Sequence, residues 1–528
     1  MNREDLLAPL QYNLVMEIEK YTKDESKIAV KWEDQEGETQ EITYRSLMLA
    51  ANKIGNVFLD KGLKKGDVAL IIIPRLIEAY EVYLAALKLG LVVIPSSEML
   101  RTKDLKYRIN HGDVKTVISY YPYTSEFDEI EEMKDIKKFV IGQDVEGWNR
   151  LDKEMLKHSD ELSIANTNRD DMAFLSYTSG TTANPKAVVH THAWAYAHLR
   201  TAGPHWLCIN EGDTVWATAG PGWMKWIWSP FLAVLGSGAT GISYHGKFEP
   251  QKYLQLLGKY GVDVLCCTPT EYRLMAKVDN LDSYDLSHIH SAVSAGEPLN
   301  REVIDIFNRH FNLKVRDGYG QTENTLLVGI TKEMELKPGS MGKPTPGNTV
   351  EIINEGGQVC GVGEVGDIAV HKETPALFKE YYKDPERTAK QYRGDYYVTG
   401  DRAKKDEEGY FWFEGRSDDI IISSGYTIGP FEVEDALVKH PFVKECAVVA
   451  SPDAIRGNIV KAYVILKDNV LQNENELIKT LQSHVKEMTA PYKYPRKIEF
   501  VNELPKTASG KIRRIELRER ELRINTVN

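Results

Sequence analysis

Ser176-Tyr177-Thr178-Ser179-Gly180-Thr181-Thr182-Ala183-Asn184-Pro185-Lys186 is the stretch from which the rest of the chain is read. Four hydroxyl side chains lie between Thr178 and Thr182, with a glycine among them and a lysine at the end. Asp171-Met-Ala-Phe-Leu-Ser-Tyr177, largely apolar, precedes it and predicts a buried strand. Ala187-Val-Val-His-Thr-His192 follows and reads as the start of a helix. A strand, a donor-rich loop and a lysine can hold a polyphosphate: amides and hydroxyls donate, and the ammonium neutralises. The spacing is not that of the Walker loop, G-x-x-x-x-G-K-[ST]. Pro185 stands in place of its second glycine and Ala187 in place of its magnesium-binding hydroxyl. Taken alone, such a stretch serves equally well as a polar surface turn, so its company must decide.

The chain around it has 528 residues, too many for one core, and its length suggests two to four domains. A 42% hydrophobic and 27% charged composition is that of a globular protein. The net charge of −11 argues against general nucleic-acid binding. No run approaches the roughly 18 apolar residues of a membrane span, and Met1 to Leu7 has no signal-like apolar core. Cys208, Cys266, Cys267, Cys360 and Cys446 show no metal spacing, and their odd number fits a reducing, cytoplasmic setting.

Asp67-Val-Ala-Leu-Ile-Ile-Ile-Pro74, a helical pattern over Ile77 to Leu89, and Leu91-Val-Val-Ile-Pro95 set a β-α-β rhythm. It recurs near Val262 and Ser291, predicting mostly parallel sheets. From about residue 340 glycines and charges punctuate short strands, which reads as a β-rich subdomain over 340–415. Gly415-Arg-Ser-Asp-Asp419 is a polar break and a candidate boundary. The expected fold class is therefore α/β: a large N-terminal domain, residues 1–415, and a small α+β C-terminal domain, residues 416–528.

Four further segments carry chemistry. Ser294-Ala-Gly-Glu-Pro-Leu-Asn300 closes a strand in a tight turn. In Asp317-Gly-Tyr-Gly-Gln-Thr-Glu323 the glycines let a backbone approach a ligand, Tyr319 offers a stacking face, and Glu323 is a hard oxygen ligand suited to Mg²⁺. Tyr397-Val-Thr-Gly-Asp401 ends a strand in an acceptor that can take both hydroxyls of a ribose. The tail 505–528 carries seven Lys or Arg against three Glu, which suits a polyanion in an otherwise acidic protein.

Together, in this order along nearly the whole chain, these segments resemble the adenylate-forming superfamily of acyl-CoA synthetases, peptide-synthetase adenylation domains and firefly-type luciferases. The resemblance implies that ATP and a carboxylic acid bind the large domain and form an acyl-adenylate with loss of pyrophosphate. A mobile small domain then rotates, and a thiol takes the acyl group. By the same resemblance Thr178, Ser179, Gly180, Thr181, Thr182 and Lys186 hold the β- and γ-phosphates. Gly296, Glu297 and Pro298 flank the adenine and Tyr319 stacks on it. Asp317, Gly318, Gly320 and Gln321 complete that nucleotide site. Thr322 reaches the α-phosphate, and Glu323 with Thr178 holds Mg²⁺. Asp401 and Arg416 bind the ribose, Asp418 is the hinge, and Lys511 bridges the substrate carboxylate and the α-phosphate. A carboxylate is already ionised at neutral pH, so this step needs no general base.

Ser423-Ser-Gly-Tyr-Thr-Ile-Gly-Pro430 is most similar to the medium-chain and acetyl-type acyl-CoA synthetases, and implies that Ser424, Gly425 and Tyr426 line the CoA channel. Thr427 stands where those enzymes carry arginine, and Ala183 where the phosphate loop carries glycine. Acetate-specific relatives have a tryptophan at the position of Gly320, so a glycine leaves space for more carbons. Each buried CH₂ contributes roughly 0.8 kcal/mol, about fourfold in preference. Trp223, Lys225 and Trp228 resemble the pocket-lining segment, with Trp226 beside them. A shortened, widened pocket suits short- to medium-chain acids, branched ones such as isobutyrate included. The expected function is thus an AMP-forming acyl-CoA synthetase using ATP, Mg²⁺ and CoA, as a monomer or homodimer. The alternative is an adenylating enzyme that loads a carrier protein.

Overall fold

The computed structural model describes residues 1–528 apart from 179–184, 298, 300, 417–418, 424–425, 454–455, 468–472, 490, 507–510 and 527–528. The chain divides into two compact units: Met1–Val350 with Val370–Tyr392, and Glu351–Ala369 with Arg393–Asn528. No described helix is long and apolar enough to cross a membrane.

The first unit holds two sheets. In one, the strands run Glu380–Tyr381, Lys186–Thr191, Met172–Thr178, Val92–Pro95, Val68–Ile72, Val114–Tyr120, Lys137–Ile141 and Asn149–Arg150. Val68–Ile72 is buried along its whole length and pairs in parallel with Val92–Pro95 and Val114–Tyr120. A parallel strand is covered on both faces, which is why it reads as an unbroken apolar run. The crossover helix Ile77–Lys88 is buried nearly all round, as its weak apolar–polar alternation requires. In the other sheet, Ile28–Asp34, Thr240–His245, Thr214–Ala217, Val264–Cys267, Ser291–Ala295 and Val315–Gly320 are parallel neighbours in that order. Ile54, Tyr80, Leu84, Phe174, Trp194, Trp226 and Phe231 share one apolar core.

One expectation is corrected here. The segment after the opening stretch is not the start of a helix. Lys186–Thr191 is a strand, antiparallel to Met172–Thr178, with Thr178 opposite Lys186. The helix begins only at His192 and runs to Ala202. Val188 and Val189 are buried, and Val188 pairs with Tyr381. Such β-branched residues favour the pleated surface that this long-range pairing offers.

In the second unit, residues 351–353, residues 366–369, Tyr396–Lys405 and Phe411–Arg416 lie side by side as strands. Residues 393–415, grouped by sequence with the large domain, pack within this unit. Beyond them Val443–Asp453 and Gly457–Leu466 are antiparallel, and Lys497–Phe500 joins in parallel. The helices Pro430–Val438 and Glu474–Met488 close a core of Val433, Leu437, Val448, Val464, Leu477 and Leu481 on that sheet.

Candidate active site

In the first unit the two arms of the opening hairpin place Thr178 and Lys186 opposite each other. Lys186 Nζ lies 2.5 Å from a Glu323 carboxylate oxygen and 2.9 Å from the Tyr381 hydroxyl oxygen. Tyr381, itself buried, donates to that carboxylate oxygen at 2.9 Å. Glu323 is 5% exposed, and these two donors satisfy its buried oxygen. The predicted phosphate lysine and the predicted magnesium carboxylate therefore share one cluster.

Thr178 Oγ1 is buried with no hydrogen-bond partner among the described residues. A hard carboxylate and a spare hydroxyl suit Mg²⁺, which takes one or two protein oxygens beside substrate phosphates. Among the described residues no group of three or more His, Cys, Asp or Glu could cage a metal alone.

Val315–Gly320 runs parallel to Ser291–Ala295, which brings two predicted nucleotide motifs side by side: Ser294 faces Asp317 and Ala295 faces Gly318. Gly296 turns the chain at φ +107°, a left-handed conformation that favours glycine. Asp317 accepts from its own strand at Gly318 N, 2.8 Å, and from Leu299 N, 3.3 Å. Its carboxylate thus ties the turn to the strand, and burial raises its pKa to about 7. Glu297 accepts from Thr270 Oγ1 at 3.1 Å and pairs with Arg273 at 3.3 Å. Tyr319, Gln321 and Thr322 are half-buried.

The glycines of this strand are closely packed by protein on the side where a Cβ would stand. A Cβ on Gly318 would stand 2.7 Å from both Leu326 and the Trp206 ring. One on Gly320 would meet Thr325 O at 2.2 Å and the Trp228 ring at 3.1 Å. On that side the missing side chains make room for protein, and Trp228 occupies the space beside Gly320.

Trp206 and Trp228 lie on two π-helical turns, Gly203–Leu207 and Ile227–Ala233. Such turns recur at functional sites. Lys225 Nζ sits 5.1 Å above the Trp206 ring and 5.6 Å above the Trp228 ring, within cation–π range. Trp223, expected in the acyl pocket, is 38% exposed and stands at the surface. Trp226 is core, packed on Tyr80, Tyr83 and Phe231.

In the second unit Asp401 and Arg416 are direct cross-strand partners. This joins the two predicted ribose residues, although Asp401 lies inside the strand Tyr396–Lys405 and does not end it. Asp401 is buried and Arg416 exposed. Lys511 is exposed beside the bridge between Lys506 and Ile512. Ser179, Gly180, Thr181, Thr182, Pro298, Asp418, Ser424 and Gly425 lie outside the described residues. Tyr426 is described by its backbone alone, as the first residue of the short strand Tyr426–Ile428.

Sequence reasoning missed Tyr381, which no local motif announces because its partners are contributed from far along the chain. It also missed His190, Trp194 and His198. Their spacing of four was the available signal.

The AMP-binding enzyme family matches residues 19–382, and the family's AMP-binding enzyme C-terminal domain matches residues 432–511. The chain belongs to the AMP-binding enzyme family. It is 64% identical over 521 residues to the uncharacterized acyl-CoA ligase YtcI of Bacillus subtilis, covering 99% of this chain and 98% of that protein. It is 42% identical to the mitochondrial acyl-coenzyme A synthetase ACSM3 of Mus musculus, over 96% of this chain and 88% of the other. Among solved structures it superposes on the anthranilate CoA ligase AuaEII in complex with anthranoyl-AMP, with a TM-score of 0.91. That match covers 100% of both chains at 27% identity. The mixed α/β fold expected from the sequence is the fold of these adenylate-forming enzymes.

Proposed function

We propose that this protein is an AMP- and pyrophosphate-forming acyl-CoA ligase for short- to medium-chain carboxylic acids, branched ones included. The observation that carries the reading is the cluster of Thr178, Lys186, Glu323 and Tyr381, set beside a family membership that spans both units. ATP and CoA are the co-substrates this family membership implies.

The chemistry follows from charge. The substrate carboxylate and the triphosphate repel, and they must meet for the carboxylate oxygen to attack the α-phosphorus. Pyrophosphate then leaves with the electron pair of the broken P–O bond. Lys186 neutralises the leaving pyrophosphate, and the Thr322 hydroxyl donates to the α-phosphate, where charge builds in the transition state. Glu323 and Thr178 are the residues that would hold Mg²⁺, which when bound supplies Lewis-acid polarisation of phosphate oxygens. Asp401 accepts from the ribose hydroxyls and Arg416 completes that contact. Lys511 bridges the carboxylate and the α-phosphate. In the second step a thiolate attacks the acyl carbonyl of the adenylate and AMP departs.

Trp228 fills the space beside Gly320, so a compact pocket floor supports short acids. Lys225 lies over two indoles at the edge of this aromatic wall. The test is pyrophosphate release and CoA consumption across straight and branched acids from two to twelve carbons. Turnover peaking between about four and eight carbons is expected. Equal or better kcat/KM with acetate or dodecanoate would overturn the substrate reading. Turnover only with a carrier protein would overturn the CoA reading.

A further inference from the structure

Three aromatic side chains stand in file behind the turn that carries Thr322 and Glu323. His190 closes the strand Lys186–Thr191 but one, and Trp194 and His198 follow at intervals of four on the helix His192–Ala202. His190 and Trp194 have ring centroids 4.4 Å apart; Trp194 and His198 stack at 5.1 Å with planes 11° apart. All three are at most 1% exposed.

Each ring is bonded to the same turn. His190 Nε2 donates to the Thr322 carbonyl at 2.5 Å. Trp194 Nε1 donates to the Asn324 carbonyl at 3.1 Å. The carbonyl between them, Glu323 O, accepts from Phe378 N at 2.7 Å. Three successive carbonyls of the turn are therefore hydrogen-bonded, which opposes rotation of its peptide planes. Gln321 N, bonded to Asn324 Oδ1 at 2.8 Å, closes the turn on itself.

His198 makes the last link. Its Nε2 donates to the Trp228 carbonyl at 2.8 Å, since a carbonyl can only accept. Its Nδ1 then accepts from Thr325 Oγ1 at 2.6 Å. The π-helical turn that sets the pocket floor is thereby joined through one imidazole to the turn that carries Glu323.

We propose that His190, Trp194 and His198 form a positioning ladder that fixes the Thr322–Glu323 turn for Mg²⁺ and the α-phosphate and couples it, through the Trp228 carbonyl, to the acyl-binding segment. None of the three touches substrate; they act through Thr322, Asn324 and Thr325. The inference rests on the nucleotide and acyl sites of the proposed function, and its kinetic arm also on the acyl-CoA ligase reaction.

The test uses three variants of the full chain. His190→Gln carries an amide nitrogen near the place of Nε2, whereas His190→Asn draws it back toward the place of Nδ1 and loses Thr322. Trp194→Phe keeps the stack and deletes the bond to Asn324. The first readout is the Mg²⁺ concentration at half-saturation of ATP binding, by calorimetry. Supporting groups of this kind are worth about 10- to 100-fold in metal affinity or activity. His190→Asn should raise the half-saturating Mg²⁺ about tenfold or more, Trp194→Phe by a smaller factor, and His190→Gln should restore the wild-type value to within about threefold.

The second readout is kinetic. His190→Asn should lower kcat for pyrophosphate release by a similar factor while KM for ATP changes less. Thioester formation from supplied acyl-adenylate should stay within about twofold of wild type. Equal Mg²⁺ half-saturation in all three variants would overturn the ladder, as would a parallel fall of both half-reactions tracking a lowered melting temperature. Absence of turnover in the wild type overturns the ligase reading instead, and the ATP titration still decides the ladder.

Discussion

Position 320 shows how closely the turn is packed. A Cβ there would lie 2.2 Å from a backbone oxygen that cannot move without the turn. Gly320→Ala should therefore destabilise the protein by about 1–3 kcal/mol, the usual cost of overpacking, read as a lowered melting temperature. An unchanged melting temperature would show that the turn yields. Trp228 is the side chain that limits the space, so Trp228→Leu should move the kcat/KM optimum toward longer acids. An unmoved optimum would mean that the pocket floor is elsewhere. Gly320 and Trp228 are named separately from the sequence, each as a candidate for the acyl pocket. That one packs against the other follows from a loop geometry that no local pattern encodes. His192 offers a pH test away from the turn. Burial lowers its pKa from 6.5 to about 4, and its Nδ1 accepts from Leu14 N at 3.2 Å. The folded chain keeps this ring neutral while the unfolded chain protonates it below pH 6.5. Its contribution to stability is thus complete above pH 6.5 and is lost as the pH falls toward 4. His192→Asn keeps the acceptor and removes the titration. Between pH 6 and 4.5 the wild type should lose about 1.4 kcal/mol per pH unit relative to the variant, measured by urea unfolding. Parallel pH profiles would contradict this.

Elements of the parallel sheets were legible because buried parallel strands cannot alternate: Val68–Ile72 and Val92–Pro95 stand out as apolar runs. The hairpin arm Lys186–Thr191 was not. Its valines are flanked by histidine and threonine, and its pairing is settled by Glu380–Tyr381, almost two hundred residues away. The same distance hides Tyr381 from any motif, whereas Lys186 and Glu323 each sit in a recognisable string. In the second unit the helix Arg514–Thr526 is fastened by two arginines four residues apart. Arg514 pairs with Glu434 at 2.6 Å, and Arg518 with Asp419, beside the predicted hinge. Glu434 is 7% exposed and also accepts from Val448 N at 2.7 Å. Removing one partner of a buried pair leaves a charge uncompensated, so Arg514→Ala should cost about 3 kcal/mol in denaturant unfolding. A loss below about 0.5 kcal/mol would place this pair among the solvated ones.

At the scale of the molecule, the residues proposed for the chemistry fall in both units. The first carries Thr178, Lys186, Thr322 and Glu323; the second carries Asp401, Arg416 and Lys511. The sequence reading grouped Asp401 with the large domain, whereas it lies in the second unit with Arg416 and Lys511. The residues that hold those sets in place were less readable, because they are contributed by distant segments. In the proposed two-step ligase reaction Lys511 bridges groups that meet only in adenylate formation, so we propose that it serves that step alone. The most direct measurement compares the half-reactions of Lys511→Ala: pyrophosphate release with acid and ATP, and thioester formation from supplied acyl-adenylate and CoA. The first should be abolished and the second should stay near the wild-type rate. Loss of both, or retention of the first, would contradict that role for Lys511.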